Sequence, residues 1–204
     1  MTKYLQLLLI TLLFLLSSLI VAHASFLPFG RMYKAAKDDR TYKTQAQDSR
    51  LQLQLHKTIL LSMPSELLSI STYVYLGHGF IVGEVQTEEQ SRELVAAAGK
   101  LDGINGVSYY LPIKSKQDQT ATSSALEIKI NAIFEPDYPS SKLTVKVVQD
   151  VVVVLGVLTS DEQQNTLNSL KKISGADKVI NFIQTPSSEE TKRNRPKPLR
   201  NLFN

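Results

Sequence analysis

The chain has 204 residues, of which 43% are hydrophobic and 21% are charged, so it can form one ordinary globular domain or two small ones and is not disordered throughout. It contains no Cys, which excludes disulfides, thiolate nucleophiles and Cys-ligated metal centres. The formal charge of +4 conceals an uneven distribution, because the basic residues concentrate in two flanking segments.

The N-terminal residues predict an export signal. Lys3 precedes an apolar run from Leu5 to Ala22, and Ala22-His23-Ala24 places small residues at the two positions that a signal peptidase requires to be small. We therefore expect residues 1–24 to be a cleaved signal peptide. An uncleaved membrane anchor is the alternative, because the run is nearly long enough to span a bilayer. Either outcome places the rest outside the cytoplasm, which argues against nucleic acid and nucleotide cofactors.

Two flanking segments carry the positive charge. Residues 25–47 and residues 186–204 each contain five Lys or Arg and two acidic residues. We interpret residues 25–47 as a basic linker. Residues 186–204 are rich in Pro and charge and lack apolar periodicity, which predicts a disordered basic tail that either solubilises the protein or contacts an anionic surface. The tail cations are Lys192, Arg193, Arg195, Lys197 and Arg200.

The region between the flanks contains an internal repeat. Residues 48–114 and 123–185 align with an offset that changes only from 75 to 72 residues, and the polar segment 115–122 joins them. We therefore expect two copies of one small unit. Four glycines recur at equivalent positions and are expected to be structural, namely Gly83 and Gly103 in the first copy and Gly156 and Gly175 in the second.

Periodicity leaves the first element of each copy undecided. Leu51, Leu53 and Leu55 alternate as in a strand. Leu51, Leu55 and Ile59 also lie one turn apart on a helix, with Ser49 available as an N-cap. The corresponding residues of the second copy are Leu126, Ile130 and Phe134, with Ser124 as the cap.

A hairpin is predicted next in each copy. In the first copy, strands over residues 68–76 and 80–85 flank Gly77-His78-Gly79, whose glycines tolerate positive φ. In the second copy, an alternating strand and a continuous β-branched run flank Gln149-Asp150. His78 is therefore interpreted as a turn residue.

A helix and a final strand complete each copy. The helix opens with a predicted capping box, in which Thr87 pairs with Gln90 in the first copy and Ser160 with Gln163 in the second. The final strands are predicted over residues 107–113 and 179–183. With about 60 residues each, the copies are small, and we expect them to support each other or an adjacent surface.

The order of elements resembles the BON domain, named for bacterial osmotically induced and nodulation proteins. The resemblance rests on a Gly that ends the second strand, a Gly between the second helix and a Val-containing strand, and two copies behind an export signal. Asp39-Arg40-Thr41, Thr44-Gln45, Asp48 and Leu101-Asp102-Gly103 are similar to the dual-BON outer-membrane lipoproteins associated with division sites. The resemblance implies an α+β fold of two tandem αββαβ domains, each with two helices packed on a three-stranded mixed sheet. It also favours a helix as the first element.

The resemblance implies a non-enzymatic periplasmic protein, associated with the outer membrane rather than the inner one, that binds anionic phospholipid and supports outer-membrane integrity. The first helix of the second copy would contact lipid through Ala125, Leu126, Lys129 and Ile133, together with the tail cations. Ala125 stands where those lipoproteins carry a Trp, and this chain has no Cys to lipidate. Leu126 also fits a buried stripe, and Lys129 an ordinary solvated face.

No motif predicts catalysis, a metal site or a cofactor. The nucleophile motif G-x-S-x-G and the zinc motif H-E-x-x-H are absent, and His56 and His78 have no carboxylate partner in a catalytic pattern. We therefore expect no catalytic residue and no small-molecule substrate. The alternative function is a soluble periplasmic stress-response or chaperone-like module that binds envelope proteins through exposed sheet edges or helices.

Overall fold

The computed structural model describes residues 37–63, 69–115 and 120–188, with the backbone alone for residues 120–122. The predicted signal peptide, residues 25–36 and 116–119 of the predicted linkers, and residues 189–204 of the predicted tail lie outside these ranges. The described residues form four helices and six strands. In chain order these are α1 Tyr42–Ser62, β1 Ile70–Tyr75, β2 His78–Gly83, α2 Glu88–Gly99, β3 Gly106–Tyr110, α3 Thr120–Phe134, β4 Leu143–Val148, β5 Val151–Val157, α4 Ser160–Leu170 and β6 Lys178–Gln184.

Each repeat contains one three-stranded mixed sheet. In the first, β1 pairs antiparallel with β2, and β3 lies parallel to β2 on its other side. In the second, β4, β5 and β6 have the same order and directions. A tight hairpin enforces the antiparallel pair, and the crossover through α2 or α4 enforces the parallel pair. The predicted α+β class with two small mixed sheets is confirmed.

The first element of each repeat is a helix. On α1, Leu51, Leu55 and Ile59 are buried while Leu53 is 70% exposed, which is the pattern of a helix and not of a strand. The N-cap is Thr41 and not Ser49, because the Thr41 hydroxyl accepts a hydrogen bond from the Thr44 amide at 3.1 Å.

Both first helices begin earlier than the sequence predicted. Helix α1 begins at Tyr42, inside the segment 25–47 interpreted as a linker, and α3 begins at Thr120, inside the segment 115–122. The first turns of both helices are polar. The apolar periodicity therefore starts only where each helix contacts the core of its repeat. The predicted linker boundaries are wrong at these two places.

The two hairpins turn through two residues each. In the first, Leu76 and Gly77 both have positive φ, and β2 begins at His78, so the interpretation of His78 as a turn residue was wrong. The second turns at Gln149 and Asp150 as predicted, with φ of 49° and 62°. Two central residues with positive φ match the right-handed twist of the flanking strands.

The caps of α2 and α4 differ from the predicted pairs. Thr87 accepts from the Gln90 amide, but the Gln90 side chain accepts from the Gln86 amide and therefore does not close the box on Thr87. On α4 the N-cap is Thr159, and the Glu162 carboxylate accepts from its amide at 3.0 Å. The predicted pair was shifted by one residue, because Thr159-Ser160 offers two adjacent hydroxyl residues and only the geometry selects one.

The helices cover one face of each sheet. In the first repeat, side chains of α1 and α2 pack on the β-residues that point toward them, among which Ile81 is fully buried. In the second, α3 and α4 pack likewise on Val152 and Val154. Each repeat therefore has its own helix–sheet core.

The opposite faces of the two sheets pack against each other. Phe80 and Val82, which alternate with Ile81 along β2, join Val153 and Leu155 of β5 in a third buried cluster. The rings of Phe80 and Phe182 lie 5.7 Å apart, and a hydrogen bond of 3.1 Å joins the hydroxyls of Tyr75 and Thr144. The layers follow the order helices, sheet, sheet, helices. The expectation that the small copies support each other is thereby met.

Two of the four repeated glycines are required by a close approach of the backbone. A Cβ at Gly83 would overlap the carbonyl oxygen of Ser69, and one at Gly156 would overlap that of Lys142. Gly103 and Gly175 lie after α2 and α4 with φ of 90° and 93°, in the left-handed region that favours glycine.

Replacing Gly156 with Ala should lower the free energy of unfolding by about 3 kcal/mol, because a backbone carbonyl cannot move aside as a flexible side chain can. Urea denaturation followed by circular dichroism measures the change. The matched control is Gly99→Ala at the exposed end of α2, where a Cβ would meet no atom within 4 Å. The control should be neutral or stabilising by up to about 1 kcal/mol. Equal losses in both variants would contradict the steric explanation.

Candidate functional site: the outward faces of the first helix in each repeat

The predicted lipid-contact residues of the second repeat lie along one side of α3. Ala125 and Lys129 are exposed, Ile133 is half exposed, and Leu126 is half buried against the second-repeat core. Ala125, Leu126 and Lys129 share one open groove of about 500 Å³ beside Gly175. The structure therefore brings Ala125, Leu126 and Lys129 together, and Leu126 contacts both the core and the groove.

The outward face of α3 contains two residues that the sequence reasoning missed. Ile128 is 69% exposed and Ala132 is also exposed. At 100° per residue, both fall on the side opposite Ile130 and Phe134, next to Ala125 and Lys129. Ile128 corresponds to Leu53, which belongs to the strand-like alternation of the first repeat, and assigning the helix first would have placed it outward. The outward face of α3 is thus apolar with one cation.

An acidic residue of α3 is directed away from this outward face. The Glu127 carboxylate pairs with Lys146 at 2.6 Å and accepts a hydrogen bond from the Val147 amide at 3.0 Å. Its charge is therefore neutralised at the edge of β4. Positive and negative charges are balanced in the lining of the groove, because it contains Asp150 and Asp177 as well as Lys129 and Lys178.

The equivalent face of α1 carries a cationic stripe formed by Lys43, Arg50 and Lys57. Seven residues separate each from the next, so the three lie on one side of the helix about 10 Å apart along its axis. All three are exposed and form no hydrogen bond or ion pair with the described residues. The only acidic residue of α1, Asp48, is buried. This helix therefore presents positive charge without a compensating carboxylate.

Apolar side chains accompany the cationic stripe. Leu53 and Leu61 are about as exposed as Ile128, at 70% and 71%, and Tyr42 is exposed at the start of the helix. An open groove of about 840 Å³ follows the stripe, and Asp102 is the only acidic residue in its lining. Leu53 occupies the position that Ile128 has on α3, so the two helices present related faces with different charge.

The basic residues of the predicted linker, residues 25–47, have different roles. In residues 25–47, Lys43 belongs to α1 and Arg40 is buried in ion pairs. Lys37 donates a hydrogen bond to the carbonyl oxygen of Pro136 at 3.0 Å. The interpretation of this segment as a basic linker is therefore wrong from residue 37 onward. Arg31, Lys34 and the tail residues Lys192, Arg193, Arg195, Lys197 and Arg200 lie outside the described residues.

A buried cluster of charges, here called the clasp, joins the segment before α1 to both repeats. It consists of Asp38, Asp39, Arg40, Asp48 and Lys142. Arg40 pairs with Asp38 and with Asp48, the latter at 2.7 Å, and donates to the Ser141 carbonyl at 2.7 Å. Asp48 also accepts from the Leu76 and Gly77 amides, both at 2.8 Å. The residues that carry part of the family resemblance are therefore structural in this fold.

The two cations of the clasp are held ionised by their carboxylate partners. Burial by itself lowers the pKa of Arg40, but its hydrogen bonds and charge interactions with Asp38 and Asp48 outweigh this and raise the pKa. Burial likewise opposes the charge of Lys142, and ion pairs with Asp39 at 2.6 Å and Glu162 at 2.8 Å raise its pKa. Arg40 and Lys142 therefore contact their carboxylate partners.

Metal-ligating side chains are dispersed over the described residues. No group of three or more His, Asp or Glu within them is arranged to hold a metal ion. The His78 Nε2 atom lies 2.9 Å from the Ser108 hydroxyl, and no carboxylate adjoins it among the contacts of the described residues. None of the helices in the described ranges combines the length and the apolar character that crossing a bilayer requires.

Comparisons with known proteins find similarity to solved structures. The sequence matches no protein-family model and no curated protein. It is similar to CdsD, described as a structural protein of the type III secretion system of Chlamydia trachomatis, at 19% identity over 74% of this chain and 70% of that one, with a TM-score of 0.29. The C-terminal domain of CdsD aligns at 19% identity over 69% and 67%, with the same TM-score. Similarity at this level does not establish a shared fold or function.

Replacing Arg40 with Met should lower the free energy of unfolding by about 3–5 kcal/mol, because two buried carboxylates lose their partner. Chemical denaturation measures the loss. The matched control is Arg50→Met on the exposed face of α1, which should change stability by no more than about 0.5 kcal/mol. A small loss at Arg40, similar to that at Arg50, would contradict the structural role of the clasp.

The stability of the protein should decline as the pH falls below about 6.5, partly through His78. Burial lowers the pKa of His78, so the unfolded chain binds a proton there more readily than the folded protein does. The stability that neutral His78 contributes is fully present above the pKa of the unfolded chain. It is lost as the pH falls through the lowered pKa of the folded protein. His78→Gln should show a shallower decline in urea midpoints between pH 7.5 and pH 5, and identical slopes would contradict this assignment.

Proposed function

We propose that this chain is an exported, non-enzymatic double-BON protein that binds anionic phospholipid surfaces in the bacterial envelope and supports outer-membrane integrity. Its lipid contacts are the outward faces of α1 and α3, assisted by the basic tail. The αββαβ order of both repeats and the glycines at their strand ends support the BON assignment. The export signal predicted from residues 1–24 supports the periplasmic location.

The observation that carries the proposal is the composition of the two outward faces. Each combines exposed apolar side chains, Leu53 and Leu61 on α1 or Ile128 and Ile133 on α3, with cations that have no partner among the described residues. Such a face suits the boundary between head groups and acyl chains, where apolar groups enter shallowly and Lys or Arg attract anionic lipid. A cation near such a surface contributes about 1 kcal/mol.

The two faces are expected to contribute differently. The cationic stripe of α1 supplies three charges, or about 3 kcal/mol together, whereas α3 supplies Lys129 and a larger apolar fraction. The helices form the two outermost layers of the four-layer body, so the faces point to opposite sides. A flat membrane therefore contacts one face at a time. The α1 face dominates at low salt, and the α3 contact depends more on burial of Ile128 and Ile133.

A protein-binding module is the second candidate function. It corresponds to the periplasmic stress-response or chaperone-like alternative, and a specific observation favours it. Side chains of α3 form hydrogen bonds with the edge backbone of β4, whereas no side chain of α1 forms such a bond with β1 among the described residues.

Neutralising the cationic stripe should weaken binding to anionic vesicles by up to about 100-fold, because three contributions of about 1 kcal/mol are removed. The variant is Lys43→Gln with Arg50→Gln and Lys57→Gln, and co-sedimentation with phosphatidylglycerol-containing vesicles measures it. The matched control, Arg92→Gln with Lys171→Gln and Lys172→Gln, removes the same charge from exposed sites elsewhere and should weaken binding by no more than about threefold. Wild-type binding should also fall as salt rises from about 0.05 M to about 0.5 M.

Two further variants separate the other contacts. Ile128→Ser with Ile133→Ser should reduce the binding that persists at high salt, and deletion of residues 189–204 should reduce the salt-dependent part. Binding that is insensitive to salt, or equal for phosphatidylcholine vesicles, would contradict the lipid proposal.

A further inference from the structure

A cationic groove runs along most of α1. The cationic stripe of Lys43, Arg50 and Lys57 lies in its lining, and residues 101–103 form the opposite wall. The groove has a volume of about 840 Å³. It extends from Lys43 to Leu61, which is about 27 Å along the helix axis. Its shape therefore fits an elongated occupant that lies along α1.

The charge of the lining selects an acidic occupant. All three cations of the stripe are exposed, and none of them forms an ion pair with the described residues. Asp102 is the only acidic residue of the lining, and it belongs to the opposite wall. The lining therefore attracts an anionic group that enters the groove and repels a cationic one.

The spacing of the cations favours a helix as the occupant. The cations recur every seven residues, so they lie about 10 Å apart on one side of α1. A second helix that packs at about 20° to α1 has the same rise per residue, and its own seven-residue repeat stays opposite the stripe. An extended chain places side chains on one face about every 6.6 Å, which does not match this spacing.

An apolar column with the same spacing flanks the cationic stripe. It consists of Ala46, Leu53 and Leu60, each of which follows one of the cations by three residues. All three are exposed, Leu53 to 70%. Residues three apart are neighbours on a helix surface, so the apolar column lies directly beside the stripe. One apolar and one charged column in a seven-residue repeat are typical of a helix that packs against another helix.

The described helices of this chain do not supply the complementary surface. None of α1 to α4 carries two carboxylates seven residues apart. A second copy of the described part of the chain therefore cannot place an acidic side chain opposite each cation. The complementary helix is expected in a different protein.

We infer that the groove along α1 binds an acidic amphipathic helix of a partner protein. One carboxylate in every seven residues of that helix pairs with Lys43, Arg50 or Lys57, and its adjoining apolar side chains pack on Leu53 and Leu60. The charge pairs fix the register, because a helix that shifts along the groove separates all three pairs at once.

The inference goes beyond the proposed function and does not rest on it. A partner helix and a membrane cannot occupy the cationic stripe together, but α3 lies in the opposite outer layer and stays accessible. The protein can therefore hold a partner on α1 while α3 contacts lipid. Peptide binding is measured without vesicles, so failure of this inference is distinguishable from failure of lipid binding.

The experiment measures binding of a model helix to the full chain by fluorescence anisotropy. The probe is a fluorescein-labelled peptide of about 21 residues, with Glu at one position in every seven, Leu three residues after each Glu, and Ala or Gln elsewhere. The wild type should bind it. The neutralised variant, Lys43→Gln with Arg50→Gln and Lys57→Gln, should bind at least about tenfold more weakly.

A matched control separates the stripe from the overall charge of the protein. Arg92→Gln with Lys171→Gln and Lys172→Gln removes three exposed cations elsewhere. It should weaken peptide binding by no more than about threefold, because these cations lie outside the groove.

Two further changes test the pairing and the spacing. A peptide of the same composition, whose Glu residues face three different sides of the helix, should bind at least about fivefold more weakly. The reversed variant, Lys43→Glu with Arg50→Glu and Lys57→Glu, should lose the acidic peptide and bind one in which Lys replaces Glu. This gain of binding requires a folded protein, so it keeps the inference testable if the neutralised variant is destabilised.

Several results would overturn the inference. They are absence of binding to the wild type at up to about 1 mM peptide, equal binding to the neutralised variant, and equal binding of the rearranged peptide. The last result would assign the groove to attraction of any anionic chain. A wild-type dimer in light scattering that the neutralised variant converts to a monomer would assign the face to a second copy of this chain and would equally overturn a partner helix as the occupant.

Discussion

A three-stranded sheet with helices on only one side leaves an apolar face in water, and this constraint determines the architecture. Val153 and Leu155 are fully buried on the face of β5 that its own helices do not reach. The face of β2 that carries Phe80 covers them. Each repeat therefore completes the core of the other, and neither sheet can be exposed without losing the burial of several large side chains. The stability of each repeat therefore depends on the presence of the other.

The clasp strengthens this arrangement at the margin of the interface. Arg40 connects Asp38 and Asp48 of the first repeat to the Ser141 carbonyl of the second, and Lys142 reaches back to Asp39. Buried charges of this kind add little net stability when paired but are costly when one partner is removed. They fix the position of the segment before α1, which explains why conspicuous charged residues there are unavailable to a ligand.

The surfaces that remain for function are those on which the two repeats have diverged. Their cores use equivalent positions, but α1 carries a cationic stripe where α3 carries one Lys and more apolar area. The edge backbone of β4 forms hydrogen bonds with Glu127 and Asn131, while Gln52 and His56, at the equivalent positions of α1, form none with β1 among the described residues. Because the helix pairs occupy opposite outer layers, each surface can engage a different partner. Duplication thus provides two related scaffolds whose outer residues can specialise separately.

The sequence by itself determined the repeat, the order of its elements and most of each core, because apolar periodicity, turn residues and caps act over a few neighbouring residues. Leu55, Ile59 and Ile130 are buried as their spacing predicts. Only the tertiary structure decided that Arg40 is buried and that Glu127 turns toward β4. These outcomes depend on partners such as Ser141 and Lys146, which lie far from Arg40 or Glu127 along the chain, and on the packing of two sheets whose contact no local pattern records.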